Sequence, residues 1–190
     1  AAVEWEKLPD VDIHDFRAAL LKFPWETAVG QTGVHPRSLA FLSAQALSVI
    51  LALLIRCEGL MVWPSDRILS ILVRLPKPEG GARLIALMNS LVRAWGRLRR
   101  PISTKWERDF RTAEIWGVGR GRSSSSSAFA HNLDAECVQL LGRGSVTVMV
   151  DLWKVFESIG PTILLWEGDQ VGFPRRLLGM LIMAYRQPRV

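Results

Sequence analysis

The 190-residue chain has only two cysteines and three histidines, and neither set is spaced for the roles these residues usually fill. Cys57 and Cys137 stand far apart with no C-x-x-C, which argues against a disulfide framework or structural zinc finger and favours a reducing compartment. His14, His35 and His131 are scattered and no H-E-x-x-H occurs, so no histidine-based metal cluster is expected. There is no P-loop, no G-x-S-x-G and no internal repeat. Long apolar runs are lacking too. Glu4, Glu6, Asp10 and Asp12 interrupt the start of the chain, so no signal peptide is expected there. The stretch Leu39–Ile55 includes Ser43, Gln45 and Ser48 and ends before Arg56; its 17 residues fall short of the roughly 20 that a membrane span needs. Leu42, Ala46, Val49 and Leu53 recur in it at helical spacing, so a core helix is expected and no membrane partner.

What the chain does have is an ordinary globular composition, 49% apolar and 22% charged, enough for one domain or a little more. Its 24 basic residues against 18 acidic ones give a formal +6, and that charge is concentrated. Between Arg67 and Arg122 lie 13 basic residues and four acidic ones, a net +9, which leaves the rest of the chain at −3. Such a segment is the footprint of a polyanion partner or else a solvated helix face, and charge alone does not separate the two. Trp95, Trp106 and Trp116 are interleaved with these bases. They can stack on nucleobases or, as tryptophans at helical spacing more often do, join a core.

Residues 1–28 read as a lead-in with one helix over Ile13–Phe23 before Pro24. Pro36 and Ser38 open the apolar helix and Gly59 closes it. Arg67–Leu75 reads as a strand stopped by Pro76 and Pro78, Gly80-Gly81 as a tight turn, and Arg83–Leu87 as the returning strand. Asn89 or Ser90 caps a basic helix through about Arg99, Pro101 breaks it, and a second polar helix covers Thr104–Ile115. After Gly117, Gly119 and Gly121, the serines Ser123–Ser127 begin a helix, because Phe129, Leu133, Cys137 and Leu141 follow at i+4 spacing. Val146, Val148 and Val150 alternate into Asp151, the clearest strand pattern in the chain. Two helices follow, over Pro161–Val171 and Pro174–Arg186. Helices and short strands mix without a βαβ period, so the expected class is α/β in the broad, α+β sense.

Two segments carry recognisable chemistry. In LPKPEGGARLI (Leu75–Ile85), Lys77 and Arg83 flank the turn, one on each arm. A compact ammonium and a bidentate guanidinium can there lean over one triphosphate, though two bases on a surface hairpin are also commonplace. In VTVMVDLWKVFES (Val146–Ser158), the apolar strand ends in Asp151, a hard carboxylate ligand suited to Mg²⁺. Phe156 comes five residues later, near enough to wall the same pocket. Asp151 equally suits a helix N-cap after a strand.

Taken in order, LPKPEGGARLIAL, GVGRGRSSSSSAF and VMVDLWKVFES resemble the fingers and early palm of reverse transcriptases of non-long-terminal-repeat retrotransposons and group II introns. Those families show LPKP-x-G-x-x-R-P-I, then G-F-x-x-G-R-S-x-x-D-A, then a strand ending D-x-x-K-A-F-D. VHPRSLAFL is similar to the start of their fingers helix, and VGFPRRLLGMLIMAYRQPRV to the helix after the first palm strand. The likeness implies a mostly helical fingers-like region with the hairpin at residues 29–144 and the start of a palm at residues 145–190. It implies RNA-directed DNA polymerase activity in the whole enzyme. RNA template, DNA primer and deoxynucleoside triphosphates would be its partners and Mg²⁺ or Mn²⁺ its cofactor. Asp151 would be a catalytic, metal-binding aspartate joined by the Leu152 carbonyl. Lys77 and Arg83 would contact the nucleotide's phosphates, and Phe156 would crowd a ribose 2′-hydroxyl. Gly119, Gly121 and Arg122 would lie along the template. Arg93, Arg97, Arg99 and Arg100 on the basic helix would meet the nucleic-acid backbone.

The departures are Leu84 where proline is usual, Ser126 where Asp is common, no Asp near Thr32, and Glu157 for Asp beside the gate. The Q-G-x-P segment and the Tyr/Phe-x-Asp-Asp hairpin do not occur before Val190. Two-metal phosphoryl transfer draws carboxylates from separate strands, so the expectation is an N-terminal fragment that would not polymerise by itself. The alternative is a non-catalytic nucleic-acid-binding remnant or domesticated fingers domain.

Overall fold

The computed structural model describes residues 5–64, 69–110, 123–144, 146–148, 150, 158–186 and 188–189. Helix α1 (Ile13–Leu21) opens on a reciprocal cap. Asp12 accepts the Asp15 N–H at 2.8 Å and Asp15 accepts the Asp12 N–H at 3.2 Å, which satisfies two otherwise free donors. Phe16, Leu20 and Phe23 are buried, so the lead-in contributes to the core. Pro36–Phe41 forms a short 3-10 helix instead of opening the apolar helix. The backbone is extended at Leu42, and the Ser43 hydroxyl accepts the Ala46 N–H at 3.2 Å to start α2 (Ala44–Leu60).

Leu47, Leu51, Leu54 and Glu58 form the buried stripe of α2. The expected stripe through Leu42, Ala46, Val49 and Leu53 is rotated by one position, and Val49 is 67% exposed. A helix apolar on most sides gives periodicity little to choose between, and its neighbours decide the face. Helix α2 runs past Gly59 and ends on Met61, in the left-handed region at φ 52°. Val62 N–H reaches the Cys57 carbonyl at 3.1 Å and Met61 N–H the Glu58 carbonyl at 3.3 Å, closing the last turn.

The expected hairpin forms, with its first strand beginning at Ile71 and taking in Pro76, which was expected to stop it. Strands β1 (Ile71–Pro76) and β2 (Ala82–Leu87) pair antiparallel, with Ile71 opposite Leu87 and Pro76 opposite Ala82. Arg67 lies outside the described residues. Leu72, Leu75, Leu84 and Ile85 are all exposed, so the hairpin stands away from the core with both faces in solvent. Its base is tied down where Ser70 N–H donates to the Pro188 carbonyl at 3.1 Å.

Helix α3 (Ser90–Phe110) follows, with Asn89 accepting the Leu91 N–H at 2.8 Å. The expected break at Pro101 does not occur, and one helix replaces the two anticipated. Proline costs an interior helix about 3 kcal/mol, so packing on both sides of it must hold α3 together. Val92, Trp95 and Leu98 anchor the first half in the core. Trp106 anchors the second, donating to the Val171 carbonyl at 2.9 Å and meeting Phe173 edge-on at 4.9 Å. Residues 111–115 of the expected second helix lie outside the described residues.

Ser123 caps α4 (Ser124–Leu140) through the Ser126 N–H at 3.1 Å, and no residue of α4 is buried. The strand expected over Val146–Val150 is not formed among the described residues, and Val146, Val148 and Val150 are 92%, 79% and 78% exposed. An alternating apolar pattern becomes a strand only when a neighbour satisfies its N–H and C=O groups, and no described residue pairs with these. Helices α5 (Pro161–Gln170) and α6 (Arg175–Tyr185) follow. Helix α6 brings Leu177, Met180 and Ala184 into the same core as α1, α2 and α3. There Trp63 meets Trp95 edge-to-face at 5.5 Å and donates to the Met180 carbonyl at 3.0 Å. Helices with a two-stranded antiparallel sheet fit the broad α+β class.

Candidate nucleic-acid interface

The hairpin tip is built by a turn over Lys77–Gly80, in which Gly80 N–H donates to the Lys77 carbonyl at 3.1 Å. Pro78 presets the corner, and Gly80 and Gly81 take φ of 94° and 82°, values open to glycine at no steric cost. Lys77 N–H then donates to the Gly81 carbonyl at 3.2 Å, while Arg83 faces Leu75 in the register. Side chains alternate with period two, so Lys77, Leu75 and Arg83 fall on one face of the tip. Arg83 is exposed and Lys77 half-buried. The register thus brings these two cations to one face.

The other residues singled out for catalysis and template contact lie outside the described residues. These are Asp151, Leu152, Phe156, Gly119, Gly121 and Arg122. Among the described residues, no group of three or more His, Cys, Asp or Glu side chains is placed to hold a metal ion.

Helix α3 divides its arginines between two duties. Arg99, expected to meet nucleic acid, is 2% exposed and belongs to the interior. Its Nε and Nη2 donate to the Glu58 carboxylate at 2.7 Å each, and its Nη1 donates to the Pro9 carbonyl at 2.6 Å. Trp95 Nε1 completes the carboxylate's shell at 2.9 Å. Bidentate pairing with a third donor is the arrangement that lets a buried ion pair survive its desolvation. The signal was in the spacing: Glu58 follows Leu54 on the buried stripe of α2, and Arg99 follows Trp95 by one turn of α3.

Arg93, Arg97 and Arg100 face outward to different degrees. Arg93 donates to the Ala28 carbonyl and lies 5.7 Å from the Phe23 ring centre, with Arg97 over the same ring at 4.7 Å. Burial, and then the charge of Arg97, lowers the Arg93 pKa from its ordinary value. Burial followed by the charge of Arg100 does the same to Arg97. Like charges are thus crowded along this face. Below them opens a cleft of about 400 Å³ lined by Lys22, Arg97, Arg100, Pro101, Thr104, Lys105 and Arg108, with no acid in its wall among the described residues. Of its five cations, only Arg97 and Arg100 are singled out by the sequence. Lys22 escapes such a reading because it comes from α1's end, 75 residues before Arg97 in sequence. In comparisons with known proteins, no family model and no curated protein matches the chain.

Proposed function

We propose that this chain is the fingers and early palm of an RNA-directed DNA polymerase of the retroelement type. The observation that carries this reading is the ordered series LPKPEGGARLIAL, GVGRGRSSSSSAF and VMVDLWKVFES. The hairpin supports it, since its register sets Lys77 and Arg83 on one face, where they can grip a deoxynucleoside triphosphate. Asp151 and the Leu152 carbonyl would hold Mg²⁺ or Mn²⁺, which when bound supplies charge neutralisation for the phosphates. Phe156 would crowd the 2′ position of the sugar.

The test is primer extension by the gene product read past Val190, which this reading expects to contain a Tyr/Phe-x-Asp-Asp hairpin. Asp151→Asn should abolish extension with the thermal midpoint retained, because asparagine caps a helix nearly as well as aspartate but carries no charge. Phe156→Ala should admit ribonucleotides. Full activity in Asp151→Asn, or a locus without the second carboxylate motif, would remove the polymerase reading. A second reading, a nucleic-acid-binding module without catalysis, is favoured by the five-cation cleft on α3, which needs none of the catalytic residues.

A further inference from the structure

The loop after α1 and the 3-10 helix it leads into carry aromatic rings that the core does not use. Trp25 and Phe41 are 58% and 67% exposed, yet their planes are 7° from parallel with centres 6.2 Å apart. His35 stacks on Trp25 at 5.7 Å, and the Arg37 guanidinium lies 4.7 Å from the Trp25 ring centre. Exposed aromatics normally cost solubility, and a contiguous group of them marks a contact surface. What makes this group specific is where it leads. Arg37 Nη1 donates to the Phe23 carbonyl at 3.0 Å, the Phe23 ring lies under Arg97 at 4.7 Å, and Arg97 lines the basic cleft beside Lys22. Each link is a direct contact, so the aromatic group and the cleft flank the buried Phe23, which takes Arg37 on its carbonyl and Arg97 on its ring. Glu26 is the one acid between Lys22 and Phe41, and Arg108 has an exposed ion pair with Asp109 at 3.7 Å.

We infer that Phe41, Trp25 and Arg37 together with Lys22, Arg97, Arg100 and Lys105 form a track for single-stranded nucleic acid, bases stacked at the aromatic end and phosphates held in the cleft. Unpaired bases have open π-faces for Phe41 and Trp25, whereas a duplex hides its faces within its own stack. The cleft supplies the complementary charge, and the repulsion among Arg93, Arg97 and Arg100 is what an incoming phosphate relieves. Stacking and phosphate contacts carry little base identity, so binding on this track is sequence-tolerant and accepts RNA and DNA alike. The proposal rests on nucleic acid being the partner, but not on polymerase activity, and it uses neither the hairpin nor Asp151.

The experiment is an anisotropy titration of the full chain with labelled oligo(U), oligo(dT) and a duplex of equal length, at several salt concentrations. Trp25→Leu with Phe41→Leu keeps apolar bulk but removes the π-faces. It should weaken both single strands by about 10-fold or more, since stacking is worth roughly 1–3 kcal/mol per base. Its salt slope should be unchanged and its duplex affinity unaffected. Trp25→Phe should retain single-strand binding, which separates lost stacking from lost folding. Arg100→Gln with Lys105→Gln should flatten the salt slope by roughly 0.7 for each phosphate no longer neutralised. Single-strand affinity unchanged in the leucine variant, or an equal loss on duplex, overturns the track while leaving nucleic acid as partner. No binding to any of the three oligonucleotides overturns both. Tighter binding to phosphatidylserine vesicles than to oligonucleotides, lost in the Arg100/Lys105 variant, overturns the assignment to nucleic acid.

Discussion

Helices α2 and α4 are the same length, and both carry apolar residues at helical spacing, yet one is core and the other is not. In α2, Leu47, Leu51 and Leu54 are covered by α1, α3 and α6. In α4, Phe129, Leu133 and Leu140 stand in solvent, and so do the valines that follow. The capping chemistry is equivalent, a serine at each N-terminus accepting an N–H three residues on. What differs is the company. An amphipathic stripe fixes which face of a helix seeks burial but says nothing of what meets it, so local structure and core membership are separate achievements. The same division runs through the sheet, where the hairpin pairs its backbone fully while leaving its side chains uncovered.

The contrast can be broken most sharply at the buried Glu58–Arg99 pair inside the packed half. Glu58→Ala leaves the Arg99 guanidinium buried and unpaired and should cost about 3–5 kcal/mol in urea unfolding. Replacing Glu58 and Arg99 together with apolar residues of similar volume should recover most of that loss, because the desolvation penalty disappears with the charges. A smaller loss for Glu58→Ala than for the double replacement would show that the pair does not bind α2 to α3. Next comes a matched pair of truncations. Leu54→Ala should cost about 2–5 kcal/mol, while Leu133→Ala on α4 should fall within about 0.5 kcal/mol of the parent. Equal effects at the two leucines would erase the distinction. The gentlest test uses the two thiols, which fall one in each region. Cys57 is buried, and desolvation outweighs its backbone hydrogen bond to raise its pKa, so its thiolate is disfavoured. A maleimide should label exposed Cys137 within minutes and reach Cys57 only through opening of the core. Simultaneous labelling of both in native buffer would mean that the core opens as readily as α4 does.

Much of the fold was legible because its signals are local. The di-glycine between two short apolar runs, Asn89 and Ser123 each announce an element without reference to anything distant. Pro101 misled because its cost is local while its compensation, Trp106 against Phe173 and the Val171 carbonyl, comes from residues some 65 positions later. The stripe of α2 was misplaced by one residue for a similar reason, since α6 contributes part of what it packs against. Of the candidate site, the hairpin's cations were readable from spacing. Arg99 was misassigned, because its basic window drew attention away from its place one turn after Trp95, the spacing that marks it as interior. Val146–Val150 shows the opposite failure, a strong local pattern with no described partner to pair with.

The Trp63 indole bond to the Met180 carbonyl joins positions 117 residues apart. At about 5–20 residues per second, a ribosome takes roughly 6–23 s to travel between them. Helices α1 and α2 are already made when that interval opens and α3 is made within it, while the helix that completes their packing does not yet exist. Trp5 and Glu6 wait longer still, because the Arg176 backbone N–H donates to Glu6 and its guanidinium to the Trp5 carbonyl. The nascent chain therefore carries an open apolar wall on α2 and α3 until α6 is synthesised, and its risk of aggregation is set by translation speed as much as by the stability of the finished core.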